Sequence, residues 1–407
     1  MGQDFIHRIP LITKQGNFGS IENPKSFAAL RYCVTGKSLI SFSNGSLKRI
    51  DSLISDKKEE IALKEPVLNY NREEVLTSKV FNCGFHKIIK IETLYGLKLE
   101  CSYNHPILVL SFTEEYDFPI LEWKLAEDLE LNDIIVCTLG NYPDKDFEYT
   151  DYLKAVMLGA MTAEGYISSD KQNYYRVGFS NIEQDYTDLV EKGLREDLDN
   201  NNLSDIEIHV LPGTGTNFPL TELNIYSPVY RKLIQKRIGK SSKVRKIPEE
   251  ILSSTDHREK AAFLASLFQG DGYICTCNDK RGHLSNIHLA LSSYSETLIQ
   301  ETQIILQEFG ILSRKGPDRE GYNLTVSGIS NIIKFSNKIG FLLPSKQKIL
   351  EDLIKNNQDI KRRSKLEEIP YLKEAIRAKA KTKKQHWKLV HTALVTKENI
   401  ENSLDFI

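Results

Sequence analysis

The sequence is poor in cysteine and has no long apolar run. Its 407 residues include 6 cysteines, which are too few for a fold held together by disulfides. Cys275 and Cys277 have no second Cys or His pair at a spacing typical of zinc sites. No segment approaches the roughly 18 apolar residues of a membrane-spanning helix, and none has the pattern of a secretory signal. We therefore expect a chain without disulfides or membrane spans, in a reducing, cytoplasmic setting.

The charges are nearly balanced. There are 54 Lys and Arg residues against 55 Asp and Glu residues, which gives a net charge of -1. This balance does not exclude a nucleic-acid-binding protein, because a few clustered basic residues suffice for binding. The length and the hydrophobic fraction of 40% indicate two or three domains, each large enough to bury a core.

Residues 1–32 have the character of a piece of a larger protein. They contain a turn-rich run from Gln15 to Gly19 and end in Arg31-Tyr32, and so short a segment does not fold alone. The segment resembles the breakage-reunion region of the DNA gyrase A subunit. The resemblance places Tyr32 at the tyrosine that bonds to DNA in that family. It stops at Tyr32, so we expect no such reaction from this chain.

The pattern changes at Cys33. From residue 33 to about 140, short apolar stretches alternate with polar residues and turns, as in Leu97 to Glu100, and this period of two predicts a mostly β domain. Cys33 could be a small buried side chain, or its sulfur could attack the carbonyl of the preceding peptide bond. His105, which follows a predicted strand, could be structural or could transfer protons near neutral pH.

Two segments of this domain resemble the N-terminal splicing blocks of inteins. They are Cys33 to Gly36 and Ser102 to Pro106. The resemblance implies a Hint-type fold in which Cys33 makes the acyl shift while His105 destabilises the scissile amide and protonates its nitrogen. Three further side chains would support these steps: Thr35, Ser102 (where the family usually has threonine) and Asn104.

After a linker near 138–150 the chain repeats itself. Leu153 to Ile167 and Ala261 to Ile274 both have a helical pattern, and both end in acid-Gly-Tyr-Ile. The acids are Glu164 and Asp271. Two copies of one α/β unit are the simplest interpretation. The similarity extends through two shorter segments, Gly178 to Asn181 and Ala290 to Ser293.

Both repeated helices carry small residues at intervals of four, and helices with such a face can pack backbone to backbone. That packing would bring Glu164 and Asp271 side by side. Adjacent carboxylates repel unless a cation lies between them, and oxygen ligands with open water positions suit Mg2+. A single copy would more simply mark a helix end, but two matched copies favour phosphodiester hydrolysis. The small residues are Gly159, Ala163, Ala262, Ser266 and Gly270.

These repeats resemble the two-repeat LAGLIDADG homing endonucleases found within inteins. The resemblance covers about 150–350, with repeats at 150–245 and 258–350. It implies a mixed architecture, in which a mostly β Hint-type part is joined to an α/β (α+β) pseudo-symmetric endonuclease. It also implies that Glu164, in place of the more usual aspartate, and Asp271 bind Mg2+ and are catalytic.

The resemblance further implies a basic catalytic residue before the second repeat. The sequence does not distinguish Arg245 from Lys246 there, and we assign Lys246; Lys346 is the equivalent in the second half. We expect the sheets to lie in the major groove of double-stranded DNA. The basic run between the repeats could be a solvated face or could track phosphates. Its predicted DNA contacts are Arg231, Lys232, Lys236, Arg237, Lys240, Lys243 and Arg245.

Residues 355–407 are polar and basic, and we find none of the β segments or the histidine-asparagine end that finish an intein. We expect that splicing is not completed unless a separate C-terminal intein chain supplies them. The expected function is that of a monomeric homing endonuclease that cuts the intein-free gyrase A subunit gene. The alternative is a self-processing intein fragment, with thioester chemistry at Cys33 and a decayed nuclease.

Overall fold

The computed structural model describes residues 33–54, 60–112, 119–168, 175–213, 219–278 and 284–356. The gyrase-like residues 1–32 and the basic tail from residue 357 onwards lie outside the described residues, so the expectations for them stay predictions. Within the described part of the chain, no helix combines the length and the apolar character needed to cross a membrane.

The region up to residue 135 consists of short antiparallel strands, as the alternating pattern predicts. Its elements are β1 (Leu39–Ser41), β2 (Leu47–Arg49), α1 (Ile50–Leu53), β3 (Glu60–Ala62), β4 (Pro66–Leu68), β5 (Glu74–Leu76), β6 (Lys79–Phe81), β7 (Ile88–Glu92), β8 (Lys98–Ser102), β9 (Pro106–Ser111), β10 (Ile120–Leu125), a 3-10 turn (Ala126–Asp128) and β11 (Ile134–Ile135). Strand β9 lies between β10 and β11, and β7 pairs with β8. Alternate side chains turn inward, so that Cys101, Ile107, Val109 and Ala126 form a small core.

The first repeat follows a 3-10 turn (Tyr149–Tyr152). It comprises α2 (Leu153–Ala163), β12 (Tyr166–Ile167), β13 (Arg176–Asn181), α3 (Gln184–Asn200), β14 (His209–Pro212), β15 (Thr221–Tyr226) and α4 (Pro228–Ile238). A second 3-10 turn (Ser242–Val244) and α5 (Glu249–Leu252) lead to the second repeat. This repeat comprises α6 (His257–Gly270), β16 (Gly272–Asn278), β17 (Leu284–Ser293), α7 (Glu296–Glu308), β18 (Ser313–Asp318), β19 (Gly321–Ser327) and α8 (Ile329–Lys338), and α9 (Pro344–Asn356) follows it.

The two repeats share one topology. The sheet orders are β12-β13-β15-β14 and β16-β17-β19-β18, and every pairing is antiparallel. Tyr166 pairs with Gly178 just as Tyr273 pairs with Ala290, so the registers also correspond. The duplication predicted from the acid-Gly-Tyr-Ile motif is therefore confirmed as a duplicated α/β unit.

Helices α2 and α6 pack along their small residues. A Cβ atom on Gly159 would lie 2.5 Å from the carbonyl oxygen of Phe263, and one on Gly270 would lie 2.8 Å from the Cβ of Ala163. Both distances are well inside van der Waals contact, so glycine is required for this approach. The predicted backbone-to-backbone packing is confirmed, and it sets the C-terminal ends of the two helices beside each other.

Residues 33–135, called the β region below, pack against the second repeat, which the sequence did not predict. The backbone N–H of Lys315, in the edge strand β18, donates to the carbonyl oxygen of Tyr95 at 3.0 Å. Arg72 forms an ion pair with Glu308 of α7 at 2.9 Å. The turn after β7 thus covers an edge that would otherwise present unpaired backbone groups.

Candidate active site

Glu164 and Asp271 lie at the matched ends of α2 and α6. The Glu164 N–H donates to the carbonyl oxygen of Ala160 at 2.9 Å, and the Asp271 N–H donates to that of Leu267 at 3.1 Å. A Cβ atom on Gly270, the residue before Asp271, would lie only 3.4 Å from the carboxyl carbon of Glu164. The helix packing therefore brings the two predicted acids together.

Burial and repulsion favour the protonated form of both acids. Burial, and after it the charge of Glu164, raises the pKa of Asp271 to about 7. Burial also raises the pKa of Glu164. The side-chain amide of Asn181 opposes this shift by donating to Glu164 Oε2 at 2.7 Å. Asn181 was not predicted as a site residue, although the similarity between Gly178–Asn181 and its counterpart in the second repeat was the available signal.

Two basic residues occupy equivalent positions behind the acids. Each binds the carbonyl oxygen of the glycine that follows an acid: Arg245 donates to Gly165, and Lys346 donates to Gly272 at 3.1 Å. The positive charges of Arg245 and Lys346 both favour ionisation of Asp271. Burial lowers the pKa of Arg245 to about 10 and also lowers the pKa of Lys346. Two partly buried acids thus lie near two basic residues, of which Arg245 is buried and Lys346 is partly buried.

Lys246 is not part of this arrangement, which counts against our assignment of it as the catalytic basic residue, although its role stays a prediction. Successive side chains of an extended segment point to opposite sides. Arg245 lines the cleft together with Asp271. The charge of Lys246 instead acts on the buried Glu301, whose pKa is raised by burial and lowered in part by Arg49 and Lys246.

The basic run between the repeats divides into two groups. Its first two arginines are engaged within the protein: Arg231 Nε donates to the carbonyl oxygen of Ser168 at 3.0 Å, and Arg237 pairs with Asp197 at 2.7 Å and with Glu250 at 2.8 Å. Arg231 is buried and Arg237 is partly buried, and both guanidinium groups already serve the fold. This counts against our prediction that these two arginines contact DNA. The lysines of the run are exposed: Lys232, Lys236, Lys240 and Lys243.

Asp271 opens into a cleft of about 610 Å³. Its lining includes Arg245, Asp271 and three residues of the second sheet, Ser292, Asp318 and Tyr322. The Ser292 hydroxyl donates to Asp318 at 3.0 Å. We did not predict these sheet residues individually. The alternation of polar and apolar residues along their strands was the signal that could have found them.

The sheet faces turned away from the helices are polar. In the first sheet, Arg176 stacks over the ring of Tyr166 at 4.6 Å and donates to Asn224 Oδ1 at 2.6 Å. In the second sheet, Asn323 donates to the hydroxyl of Tyr273 at 2.8 Å. Guanidinium and amide groups of this kind can read base edges in a major groove.

The donor set limits the cation that could bind. Within the residues that the structure describes, no three His, Cys, Asp or Glu side chains are grouped so that they could hold one metal ion. Glu164 and Asp271 therefore offer two carboxylates and leave the other positions to water or phosphate oxygens. This set fits Mg2+, which takes few protein ligands and keeps most of its water. The raised pKa of Asp271, caused by burial and by the charge of Glu164, marks negative charge that a cation would neutralise.

The predicted splicing residues form a second, separate group. The Cys33 N–H donates to Ser102 Oγ at 3.2 Å, and that nitrogen belongs to the peptide bond that an acyl shift would break. The Thr35 N–H extends the pairing of this segment with β8, and Asn104 lies in the turn after β8. The His105 N–H donates to the Ser102 carbonyl oxygen at 3.0 Å. Burial lowers the pKa of the His105 imidazole.

Solved structures that resemble this chain include homing endonucleases. One is I-DmoI in complex with DNA and Mn, at 16% identity and a TM-score of 0.34, covering 47% of this chain and 97% of that chain. Another is the homing endonuclease I-WcaI bound to its DNA recognition sequence, at 13% identity and a TM-score of 0.34, covering 50% of this chain and 88% of that chain.

Curated relatives have several different names. The DNA gyrase A subunit of Mycobacterium kansasii is 29% identical over 347 residues, which is 84% of this chain and 60% of that protein. The replication factor C small subunit of Methanocaldococcus jannaschii is 25% identical over 395 residues, which is 90% of this chain and 19% of that protein. The replicative DNA helicase DnaB of Synechocystis is 22% identical over 330 residues, which is 79% of this chain and 36% of that protein. The chain spans about three fifths of the gyrase relative.

A family model described as a LAGLIDADG-like domain matches residues 258–340. These residues contain Asp271, α6 and the second sheet, and the first repeat has the same topology. Residues 258–340 are therefore similar to a LAGLIDADG-like domain, and residues 153–238 repeat their topology.

Proposed function

We propose that the chain is a magnesium-dependent homing endonuclease embedded in an intein, which makes a double-strand cut in the intein-free DNA gyrase A subunit gene. The pair Glu164 and Asp271 carries the proposal. The two acids lie side by side at the ends of packed helices, and each half of the site adds a basic residue, Arg245 or Lys346. Two matched half-sites in one chain suit the two strands of a DNA duplex and need no second protein chain.

The names of the relatives support the intein context. Proteins called DnaB, gyrase A subunit or replication factor C small subunit each match 79% or more of this chain. Those names describe proteins with different tasks. The simplest explanation of the similarity is that each of them contains the same kind of inserted element, and not that each contains a part of gyrase. The gyrase-like sequence before Cys33 points to the gyrase A subunit gene as the host and therefore as the DNA target.

Phosphodiester hydrolysis requires attack of water on phosphorus while the bond to the leaving oxygen breaks. Glu164 and Asp271 would hold Mg2+, which when bound supplies an activated water and neutralises phosphate charge. Arg245 and Lys346 would stabilise the negative charge that grows on the phosphate oxygens. Asn181 would keep the Glu164 carboxylate oriented toward the cleft. The exposed lysines after α4 would bind DNA phosphates.

Cleavage of a plasmid that carries the intein-free gyrase A subunit junction tests the proposal. The parent protein with Mg2+ should linearise the plasmid at one position. The double variant Glu164→Gln, Asp271→Asn should not, although it should still bind the junction. The double variant Glu196→Gln, Asp205→Asn makes the same chemical changes at exposed acids and should cut like the parent. Binding without cutting by the parent would refute the nuclease assignment.

A second candidate function is self-processing at Cys33. The contact between Ser102 Oγ and the Cys33 nitrogen favours it. The Cys33 sulfur would attack the carbonyl carbon of residue 32, and the nitrogen would leave with a proton from His105. Dithiothreitol should then release a peptide that ends at Tyr32, and Cys33→Ala should abolish this release. Intact chain after treatment of the folded parent would argue against the reaction.

A further inference from the structure

A buried arginine of the β region reaches across to the second repeat. Arg49 ends β2, and 7% of its surface is exposed. Its Nε donates to Glu301 Oε1 at 2.9 Å, and its Nη2 donates to the carbonyl oxygen of Ile247 at 3.0 Å. Its Nη1 also pairs with Glu249 at the start of α5. Arg49 therefore uses all three guanidinium nitrogens on residues far from it in sequence.

Glu301 completes a clamp on the backbone of the same residue, Ile247. This residue of α7 is 5% exposed, and its Oε2 accepts the backbone N–H of Ile247 at 2.8 Å. Arg49 and Glu301 together thus bind both backbone polar groups of Ile247, which is itself fully buried. Hydrogen bonds to buried charged groups are stronger than neutral ones and hold a fixed direction.

The clamped residue lies close in sequence to the basic residue that lines the cleft. Arg245 lies two residues before Ile247, and its guanidinium reaches Gly165 next to Glu164. The Ser295 hydroxyl also donates to the Arg245 carbonyl oxygen. The backbone from 245 to 247 is therefore held from α7 on one side and from the β region on the other.

We propose that Arg49 is a positioning residue of the nuclease site, through which the docked β region sets the place of the Arg245 guanidinium. The proposal rests on the proposed nuclease function. It assigns the β region a role in DNA cleavage that is independent of chemistry at Cys33. A displacement of about 1 Å at a catalytic group can lower a rate about 100-fold, so loss of this clamp should reach the chemical step.

The test compares Arg49→Ala with Arg72→Ala. Arg72 joins the same two parts of the protein through Glu308 but does not touch residues 245–247. In single-turnover cleavage of the junction plasmid, Arg49→Ala should cut about 10- to 100-fold more slowly than the parent. Its affinity for the junction should change less than about threefold. The reason is that the interaction lost on misplacement of Arg245 is made in the transition state and not with the bound, uncut DNA. Added guanidinium ion should restore part of the rate of Arg49→Ala.

Hydrogen exchange separates this proposal from the nuclease assignment. The Ile247 amide should exchange faster in Arg49→Ala than in the parent, and Arg72→Ala should leave its exchange unchanged. Equal exchange in folded Arg49→Ala, or an equal loss of rate in Arg72→Ala, would overturn the proposal. A parent protein that cuts no junction DNA, combined with faster exchange in Arg49→Ala, would keep the clamp and refute the nuclease.

Discussion

At the scale of single residues, the candidate active site concentrates charges that burial disfavours. Burial raises the pKa of Asp271 and of Glu164 and lowers the pKa of Arg245 and of Lys346. Charged groups with shifted pKa values that share a cleft are typical of functional sites. A purely structural role would be met more simply by apolar residues, because a buried charge is costly to desolvate.

Replacement of Arg245 and of Lys246 in turn tests which of the two basic residues contributes to DNA cleavage. Arg245→Met should lower the cleavage rate about 100-fold or more, because it removes a charge directed at the phosphate. Lys246→Met removes the same charge from the neighbouring residue and should change the rate only about twofold, as expected of a substitution outside the site. Single-turnover rates of the two variants decide between them. A larger loss of cleavage rate in Lys246→Met than in Arg245→Met would support Lys246 as the catalytic basic residue.

The raised pKa of Asp271 predicts a pH-dependent stability. The unfolded carboxyl group ionises near pH 4, as is usual for aspartate, whereas the folded group has a pKa of about 7. The folded state therefore binds this proton more tightly, and the resulting stabilisation is fully present below about pH 4 and lost as the pH rises through about 7. Asp271→Asn cannot ionise, so it should raise the thermal midpoint above that of the parent most strongly at about pH 8 and progressively less toward pH 4.

Calorimetry of the two proteins without metal measures this difference. The unfolding temperatures should converge as the pH falls. A gap that stays constant from neutral to acid pH would show that the variant acts through something other than ionisation of residue 271.

At the scale of elements, the contact between α2 and α6 decides the distance between the acids. Each helix is followed directly by its acid, and the glycines let the backbones meet. Hydrophobic packing sets this spacing, since both helices are almost entirely buried. The same contact therefore stabilises the fold and places the two carboxylates.

Addition of one methyl group tests this contact. Gly159→Ala would set a Cβ 2.5 Å from the Phe263 carbonyl oxygen and should lower the free energy of unfolding by about 1–3 kcal/mol. It should also reduce cleavage, because the helices must separate. Gly316→Ala is the matched control, since a Cβ there would meet nothing within 4 Å. Urea unfolding of both variants measures the effect, and equal midpoints would contradict the role given to Gly159.

At the scale of the whole molecule, the β region and the second repeat share an interface of ion pairs, of which the Arg49–Glu301 pair is buried. Arg49 pairs with Glu301, and Arg72 pairs with Glu308. Lys98 pairs with Glu296 at the start of α7. The basic member of each of these three pairs lies in the β region, so the nuclease repeats alone would lose all three, although Glu296 would keep Lys315 of β18 as a partner at 2.8 Å.

A shortened chain tests this dependence. A protein that begins at residue 141 should be less stable than one that begins at residue 33 by about 3–5 kcal/mol, the usual effect of leaving a buried charge without its partner. The loss should shrink when Glu301→Gln is introduced into the shortened chain, because the uncompensated charge is then absent. Thermal unfolding of the three proteins provides the measurement. Equal stability of the two chains would show that the repeats do not need the β region.

The sequence by itself determined the features that depend on local pattern. Period-two alternation indicated the β strands, and the repeated acid-Gly-Tyr-Ile motif with its small residues indicated two packed helices and their paired acids. These features could be predicted because each depends on residues that lie close together in the sequence.

The tertiary structure alone decided what depends on distant contacts. It placed Arg245, and not Lys246, at the cleft, because the direction of a side chain in an extended segment is set by what packs around it. It engaged Arg231 and Arg237 in the interior, because Ser168, Asp197 and Glu250 happen to lie within reach. It also joined Arg49 to Ile247 across 198 positions of the chain, a pairing that no local pattern encodes.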